Sequence, residues 1–189
     1  MPEIFMPTDF KSRIIRTDLI MSVVGQTVQE SVYSGSLFVH TTGQGRYTGL
    51  TVTGRYKREQ APLVETFLSQ ISDRRNYTKF PHFRETVGSS TYVVSGTIAG
   101  YTLNAVPSNM KVGALVKAGL GAGRSLVVTS WNEALKFATF EPAIPLPNNT
   151  TIGPSDGVVG KVEGTLGVTL PMDRDFIGPY NIQWVEHIT

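Results

Sequence analysis

The sequence predicts a mainly β protein, with a β-sandwich-like domain that carries one covering α-helix and an inserted small β-barrel or β-sandwich domain. Three observations support this fold class. Runs of alternating apolar and polar residues occur in both halves of the chain, as in half-buried strands. One stretch changes to the helical period. The middle of the chain has short apolar runs spaced by about 8–12 residues and separated by Gly and Pro turns, which is typical of barrels and sandwiches.

The clearest strand signal lies in residues 36–56. Residues 36–40 form a β-branched and aromatic run, and residues 47–56 place Leu50, Val52 and Tyr56 on one parity. The loop between the two runs contains two glycines. Two alternating runs that are joined by a Gly-containing loop predict a β-hairpin.

The helix follows directly and begins near Pro62, because proline is accepted in the first turn of a helix. The apolar residues after it recur with the spacing of one helical stripe, which predicts a helix that covers a sheet. The stripe consists of Leu63, Val64, Phe67, Leu68 and Ile71. Arg74 and Arg75 follow at the end, where cations suit the helix dipole.

Residues 1–20 are predicted to be extended, because Pro2 and Pro7 disfavour an early helix. One strand is expected near residues 20–24 and another within residues 26–33. An extended leading segment of this kind either docks onto a neighbouring molecule or forms a simple edge strand. The residues alone leave both alternatives open.

The second half of the chain is read as short strands that begin after the flexible residues 88–90. The expected strands cover residues 92–94, 97–103, 114–117, 125–131 and 136–140, followed by a proline-rich stretch and a surface loop at residues 148–151. In the last strand, Tyr180, Ile182 and Trp184 share one parity. We expect this strand to pair with the first domain, so that residues 1–87 with 161–189 form the β-domain and residues 88–160 form the insertion.

Composition excludes several classes of protein. The chain has 189 residues and no Cys, which argues against disulfides and thiolate metal sites. Its 17 basic and 15 acidic residues are interspersed, so no nucleic acid binding is expected. No apolar run reaches the roughly 20 residues of a membrane span. The first seven residues do not look like a secretory signal.

Candidate catalytic patterns are weak, and we predict a non-enzymatic protein with no catalytic, cofactor-binding or metal residues. Residues 119–124 resemble a phosphate loop, but a strand-like run follows them, so a hairpin turn is the preferred interpretation. His40, His82 and His187 lack metal-ligand spacing. Residues 173–175 carry two aspartates around an arginine, which fits a charged turn better than a cation site.

Exposed aromatic side chains on a small β-sandwich would instead suggest a carbohydrate-binding module. The residues that would carry this alternative are Tyr77, Phe80, Phe83, Tyr92 and Tyr101. For the stretch 76–83 the preferred interpretation is a strand at the helix edge of the core, because its three aromatic residues do not share one face.

Several segments resemble the distal tail proteins of bacteriophages, in which a short helix covers a β-sheet. The resemblance lies in residues 33–35, 45–47, 57–61, 67–68, 115–119, 126–128, 140–145 and 184–188. It implies a virion structural protein of the baseplate hub that assembles in the host bacterial cytoplasm. Its copies would form a hexameric ring that joins the tail tube to the tail tip.

The same resemblance implies the partners: further copies of the chain, the tail tube protein, and baseplate hub or tail fibre proteins. Other positions in the virion fit the layout as well, namely a head–tail connector or a tail terminator ring. A carbohydrate-binding module of a receptor-binding protein is the alternative from another class.

Overall fold

The computed structural model describes residues 2–22, 25–30, 37–42, 46–73, 75–119, 123–163 and 175–187. The helices in these ranges are α1 (Thr8–Lys11) and α2 (Ala61–Ser72), the latter preceded by a 3-10 turn at Arg58–Gln60. The strands are β1 (Ile14–Ser22), β2 (Gly25–Glu30), β3 (Leu37–Thr42), β4 (Arg46–Thr53), β5 (Tyr56–Lys57), β6 (Thr78–Phe80), β7 (Thr91–Thr97), β8 (Gly100–Leu103), β9 (Leu115–Ala118), β10 (Arg124–Asn132), β11 (Phe137–Glu141), β12 (Thr151–Pro154), β13 (Val158–Val162), β14 (Phe176–Ile177) and β15 (Asn181–Glu186). None of the described helices has the length and apolar character needed to cross a bilayer.

Five strands form the main sheet in the order β1-β4-β15-β13-β6, and every neighbouring pair is antiparallel. β15, from the last described part of the chain, therefore lies between β4 and β13. The expected pairing of the last strand with the first half of the chain is present. Two short two-stranded pairs accompany this sheet, β14 with β5 and β2 with β3.

Trp184 of β15 occupies the middle of the covered face of the sheet and is fully buried. Its indole Nε1 donates a hydrogen bond to Thr51 Oγ1 (2.9 Å), and its ring stacks on Phe80 at a centroid distance of 4.7 Å. Glycines flank the ring on both sides, Gly49 in β4 and Gly160 in β13, and a Cβ at either position would overlap the indole. The glycines thus make room for the largest side chain of the core.

Helix α2 covers this face as its apolar stripe predicts. Val64, Phe67, Leu68 and Ile71 are buried, whereas Leu63 is 42% exposed and lies outside the contact. Pro62 occupies the first turn of the helix, as expected.

The short helix α1 adds Phe10 to the same core. Its ring stacks on Tyr56 at 5.3 Å and contacts Phe67 at 4.7 Å. Phe10 is fully buried, so this residue anchors the first part of the chain beneath the sheet.

The remaining six strands close into a barrel in the order β10-β11-β8-β7-β12-β9, and they lie between β6 and β13 in the sequence. The mainly β fold with a small barrel is therefore confirmed. Tyr101 is buried in the barrel core, where its hydroxyl donates to the Ile144 carbonyl (2.6 Å) and accepts from the Leu146 N–H (3.1 Å). Side-chain bonds of this kind tie the proline-rich stretch after β11 to the barrel.

Several details differ from the sequence expectations. Residues 1–20 are not extended throughout, because the helix α1 forms at Thr8–Lys11 with Pro7 at its N-cap. Proline is tolerated at the start of a helix, where its missing N–H is not needed. The predicted hairpin between residues 36–40 and 47–56 is wrong: β3 pairs with β2, whereas β4 pairs with β1 and β15. Alternation gives a strand its faces but does not choose its partner, which explains this error. β12 forms at Thr151–Pro154, where a surface loop had been expected to end. β13 belongs to the main sheet and spans the boundary that we drew at residue 160.

Candidate assembly surface

The outer margin of β1 is one edge of the main sheet. The hydrogen bonds of β4 show which backbone N–H groups point towards β1 and which point away from it. Thr53 donates its N–H to the Tyr180 carbonyl (2.9 Å), and Tyr47 donates its N–H to Glu186 Oε2 (3.2 Å), both on the β15 side. Backbone groups alternate sides along a strand. Leu50 and Val52, which alternate with these residues, therefore direct their N–H groups towards β1.

The free groups of β1 can be assigned from this alternation. Asp18 lies opposite Leu50 and Arg16 opposite Val52, so these residues bond to β4. Thr17 and Leu19 consequently direct their N–H and C=O groups away from the sheet. Within the described residues, no strand pairs with this margin.

The side chains of β1 add apolar surface to this open margin. Ile15 is 68% exposed and Ile20 is 65% exposed. Between them, Arg16 and Asp18 form an ion pair on the surface (2.9 Å). A nine-residue edge strand with exposed isoleucines is a site where another strand can add.

The opposite margin of the sheet differs, because the first segment of the chain covers it. We call residues 2–7 the leading segment. The Ile4 N–H donates to the Tyr77 carbonyl (2.8 Å), and Thr78 Oγ1 donates to the Ile4 carbonyl (2.6 Å). Glu3 forms a parallel bridge with Tyr77. Phe5 is 82% exposed, so the covered margin itself ends in an exposed aromatic ring.

The sheet has one covered and one open face. Helix α2 and the barrel contacts lie on the face of Trp184, whereas the residues of the other parity form the open face. Apart from buried Val159, all of these residues are at least partly exposed. They are Arg16, Asp18, Ile20, Thr48, Leu50, Val52, Lys79, Val159, Lys161, Asn181, Gln183 and Val185.

A buried polar junction fixes the barrel to the covered face. Arg124 of β10 lies 3.6 Å from Glu186 of β15, and Glu186 is only 3% exposed. Tyr47 also reaches across, because its hydroxyl donates to the Glu141 carbonyl (3.1 Å). Ser125 Oγ lies 3.4 Å from the Gly157 carbonyl and donates to it.

Burial controls the ionisation of this junction. It raises the pKa of the Glu186 carboxyl above its ordinary value, with Arg124 acting in the opposite direction. Burial also raises the pKa of the Tyr47 hydroxyl well above its usual value, and the nearby Glu186 adds to that increase. Sequence reasoning did not single out these residues. Burial of Glu186 could have been predicted, because Glu186 continues the alternation that buries Ile182 and Trp184.

The five aromatic residues of the carbohydrate-binding alternative do not form one surface. Phe80 is buried in the core of the main sheet, and Tyr101 is buried in the barrel. Phe83 and Tyr92 are exposed, and Tyr77 is partly exposed beside the leading segment. With two of the five rings inside separate cores, this set does not form a stacking platform for a sugar.

The histidines and the glycine-rich loop show no catalytic arrangement in the part of the chain that the structure describes. His82 Nε2 lies 3.2 Å from Ser155 Oγ, but Ser155 is only 3% exposed. His187 packs on the ring of Tyr77 (4.9 Å), and the side chain of His40 lies outside the described residues. No group of three metal-ligating side chains occurs among the described residues.

The glycine-rich loop connects β9 and β10, whose pairing places Arg124 opposite Ala118, so the predicted hairpin interpretation is confirmed for the strands. Residues 120–122 lie outside the described ranges, as do Asp173 and Arg174 of the charged turn.

The surface pockets of the described part of the chain include two that lie beside ion pairs. One of 170 Å³ lies beside the leading segment, where Lys79 and Asp156 form an ion pair (2.9 Å). The other, of 350 Å³, lies beside the ion pair of Glu85 and Lys111. Both are small and charged, and neither has a nucleophile paired with a base among its lining residues.

Comparison with known proteins adds no family. No model of a known protein family matches the chain, and no curated protein matches it. The similarity to distal tail proteins therefore stays a prediction from the sequence. The geometry that bears on function consists of the two unlike sheet margins, the open face and the fixed barrel.

Proposed function

We propose that this chain is a structural protein of a bacteriophage virion, a distal tail component of the baseplate hub. In this proposal, copies form a hexameric ring that joins the tail tube to the tail tip and fibres. The observation that carries the proposal is the outer margin of β1, a nine-residue edge strand with exposed Ile15 and Ile20.

Physical reasons connect that margin with assembly. Proteins usually blunt a long edge strand with charges, proline or a covering segment, because an open edge recruits other strands. The leading segment covers the opposite margin of this sheet, whereas apolar side chains flank the open one. Unlike margins favour head-to-tail contacts, which give closed rings when the rotation closes.

The remaining architecture suits a ring subunit. The junction of Arg124 with Glu186 fixes a closed barrel to one side of the sheet, so the barrel and the open sheet face point to different neighbours. One of these surfaces would contact the tail tube protein and the other the hub or fibre proteins. The chain would act without catalysis, cofactor or bound nucleic acid.

A head–tail connector or a tail terminator ring would use the same margins, so these remain alternatives within the virion. Electron microscopy of virions with labelled copies distinguishes them, since the label appears at the tail tip for a hub protein and near the head for the alternatives.

The experiment that tests assembly is a double substitution on the edge, Ile15→Lys with Ile20→Lys. Both side chains are exposed, so we expect the fold to persist and the oligomer to dissociate, as measured by size-exclusion chromatography with light scattering. Leu135→Lys is the matched control, because Leu135 is equally exposed (67%) but lies in the barrel. A wild-type chain that stays monomeric at high concentration would overturn the proposal.

A further inference from the structure

We propose that the ring closes through a parallel strand pair in which β1 of one copy adds to the leading segment of the next copy. In this junction Thr17 lies opposite Ile4 of the neighbouring copy. The inference rests on the proposed function, because it presumes a ring of identical subunits. It adds the identity, the direction and the register of the strands that meet.

Strand direction determines the type of junction. Four antiparallel steps separate β1 from β6, so the two outer strands of the sheet point the same way. The leading segment is parallel to β6 at the Glu3–Tyr77 bridge and therefore shares that direction. Copies that follow one another head to tail and continue one sheet must then join by a parallel pair.

No hydrogen bond among the described residues uses the backbone groups on the outer side of the leading segment. The N–H of Ile4 donates to the carbonyl of Tyr77, directly before β6, and the C=O of Ile4 accepts from the side-chain hydroxyl of Thr78 in β6. By alternation, Glu3 and Phe5 direct their backbone groups outwards. The segment therefore presents the same kind of edge as Thr17 and Leu19 of β1.

Parallel pairing restricts the register. In a parallel pair, a residue whose N–H and C=O point towards the partner strand bonds to the residues before and after the one directly opposite it. The opposite residue directs its own N–H and C=O away from the junction. Ile4 of the neighbouring copy must therefore face an outward residue of β1, which is Thr17, Leu19 or Met21 within the described edge.

Charge selects one of these registers. With Thr17 opposite Ile4, Arg16 lies opposite Glu3 of the neighbour, which is an attractive cross-strand pair. With Leu19 opposite Ile4, Asp18 would lie opposite Glu3, and like charges directly opposite each other are unfavourable. With Met21 opposite Ile4, the apolar Ile20 would lie opposite Glu3, so that carboxylate would gain no opposite charge. The first register also places Leu19 opposite Met6, an apolar pair on the covered face.

In this register, the side chains that lie opposite each other across the junction belong to the same face of the sheet. Arg16 lies on the open face, because it is opposite Val52. Glu3 also lies on the open face, since Ile4 and Met6 alternate with it and pack against the covered core. Side chains of one face therefore meet side chains of the same face across the junction.

A two-fold contact between two copies of β1 is the main competitor. It would place Thr17 opposite Thr17 of the second copy and Arg16 opposite Asp18 of the second copy. The charges of Arg16 and Asp18 would therefore attract each other in this contact as well. However, it would join the β1 margins of two copies in a closed dimer, and the edges that remain would be two leading segments. It therefore gives no head-to-tail contact between β1 and a leading segment, which the ring requires.

A charge-reversal cycle tests the register. We expect Arg16→Glu and Glu3→Arg each to weaken association about tenfold, a change equivalent to about 1.4 kcal/mol. Combining the two reversals restores association by re-forming the opposite-charge pair. Lys111→Glu is the control, because Lys111 is similarly exposed (57%) and paired with Glu85 on the barrel, away from both margins. Failure of the double variant to recover association overturns the register.

Cross-linking tests the direction of the junction, and the chain has no Cys to interfere. In the proposed register Asp18 lies opposite Phe5 of the neighbour, and both side chains are on the surface. The double variant Asp18→Cys with Phe5→Cys should give a ladder of disulfide-linked oligomers on oxidation, whereas each single variant should not. Thr17→Cys alone should stay uncross-linked, and a linked dimer from this variant would establish the two-fold contact and overturn the inference.

The outcomes separate this inference from the proposed function. Rings that form without a ladder, or without rescue in the charge cycle, refute the junction but leave the ring intact. A wild-type chain that stays monomeric refutes both.

Discussion

Substituting Gly49 by alanine should destabilise the protein strongly, because the methyl group has no space. An added Cβ would overlap Cε2 and Cζ2 of Trp184 and lie 2.8 Å from its Cη2. The indole cannot shift away easily, since it is fully buried, bonded to Thr51 and stacked on Phe80. On its other side, a Cβ at Gly160 would already lie within 2.6 Å of Cε3, so the gap there is also filled.

The expected loss follows from this crowding. Overpacking a well-filled core costs about 1–3 kcal/mol, and we expect the upper end, about 3 kcal/mol, because the ring is held on all sides. For a chain of this size that corresponds to a drop in Tm of roughly 6–12 °C. Urea unfolding followed by tryptophan fluorescence measures the free energy directly.

Gly54→Ala provides the matched control. A Cβ there would lie 3.6 Å from the Arg13 carbonyl oxygen and from Ile15 Cδ1 and 3.8 Å from Ile15 Cγ1, which are ordinary contact distances. We expect its free energy of unfolding to change by less than about 0.5 kcal/mol. Equal losses in the two variants would refute the reasoning that Trp184 requires glycine beside it.

Two further predictions concern the junction between sheet and barrel. Because burial raises the pKa of Glu186 in the folded state, the stability that its protonated form contributes is present at low pH and is lost as pH rises through that raised pKa. Glu186→Gln should flatten this decline in urea unfolding measured across pH, and an unchanged slope would contradict it. Tyr47→Phe removes the bond to the Glu141 carbonyl and should cost about 1 kcal/mol in the same assay, so an unaltered midpoint would count against that bond.

The elements with a strong period could be predicted from the sequence. The stripe of α2 and the alternation of Ile182 and Trp184 both reflect burial of one face, and that pattern is written in local sequence. The strand pattern on both sides of the glycine-rich stretch predicts a hairpin, and the pairing of β9 with β10 confirms this for the two strands. These features need no knowledge of distant partners.

Strand pairing could not be predicted in the same way. β4 lies between β1 and β15, so its two partners come from opposite ends of the described chain. Alternation within β4 is the same whichever strand lies beside it. The expected hairpin with residues 36–40 therefore failed, although the strand itself was identified.

The candidate surface was only partly visible in the sequence. Residues 1–20 were expected to be extended, with docking onto a neighbour or an edge strand as alternatives. In the structure residues 2–7 lie along the edge of β6, the helix α1 follows them, and β1 is the edge strand at the other margin. The open margin of β1 depends on the strand order of the sheet and has no local signal. Phe80 and Tyr101, two residues of the carbohydrate-binding alternative, are buried and cannot contact a sugar. The presence of an aromatic residue in the sequence does not show whether its ring is exposed or part of a core.

Native mass spectrometry of the purified wild-type chain decides whether its copies form a ring. We predict a particle of six times the 20.6 kDa subunit mass that falls apart when Ile15 and Ile20 are both replaced by lysine. A single species at 20.6 kDa over the whole accessible concentration range would contradict the proposal that the β1 margin builds a ring.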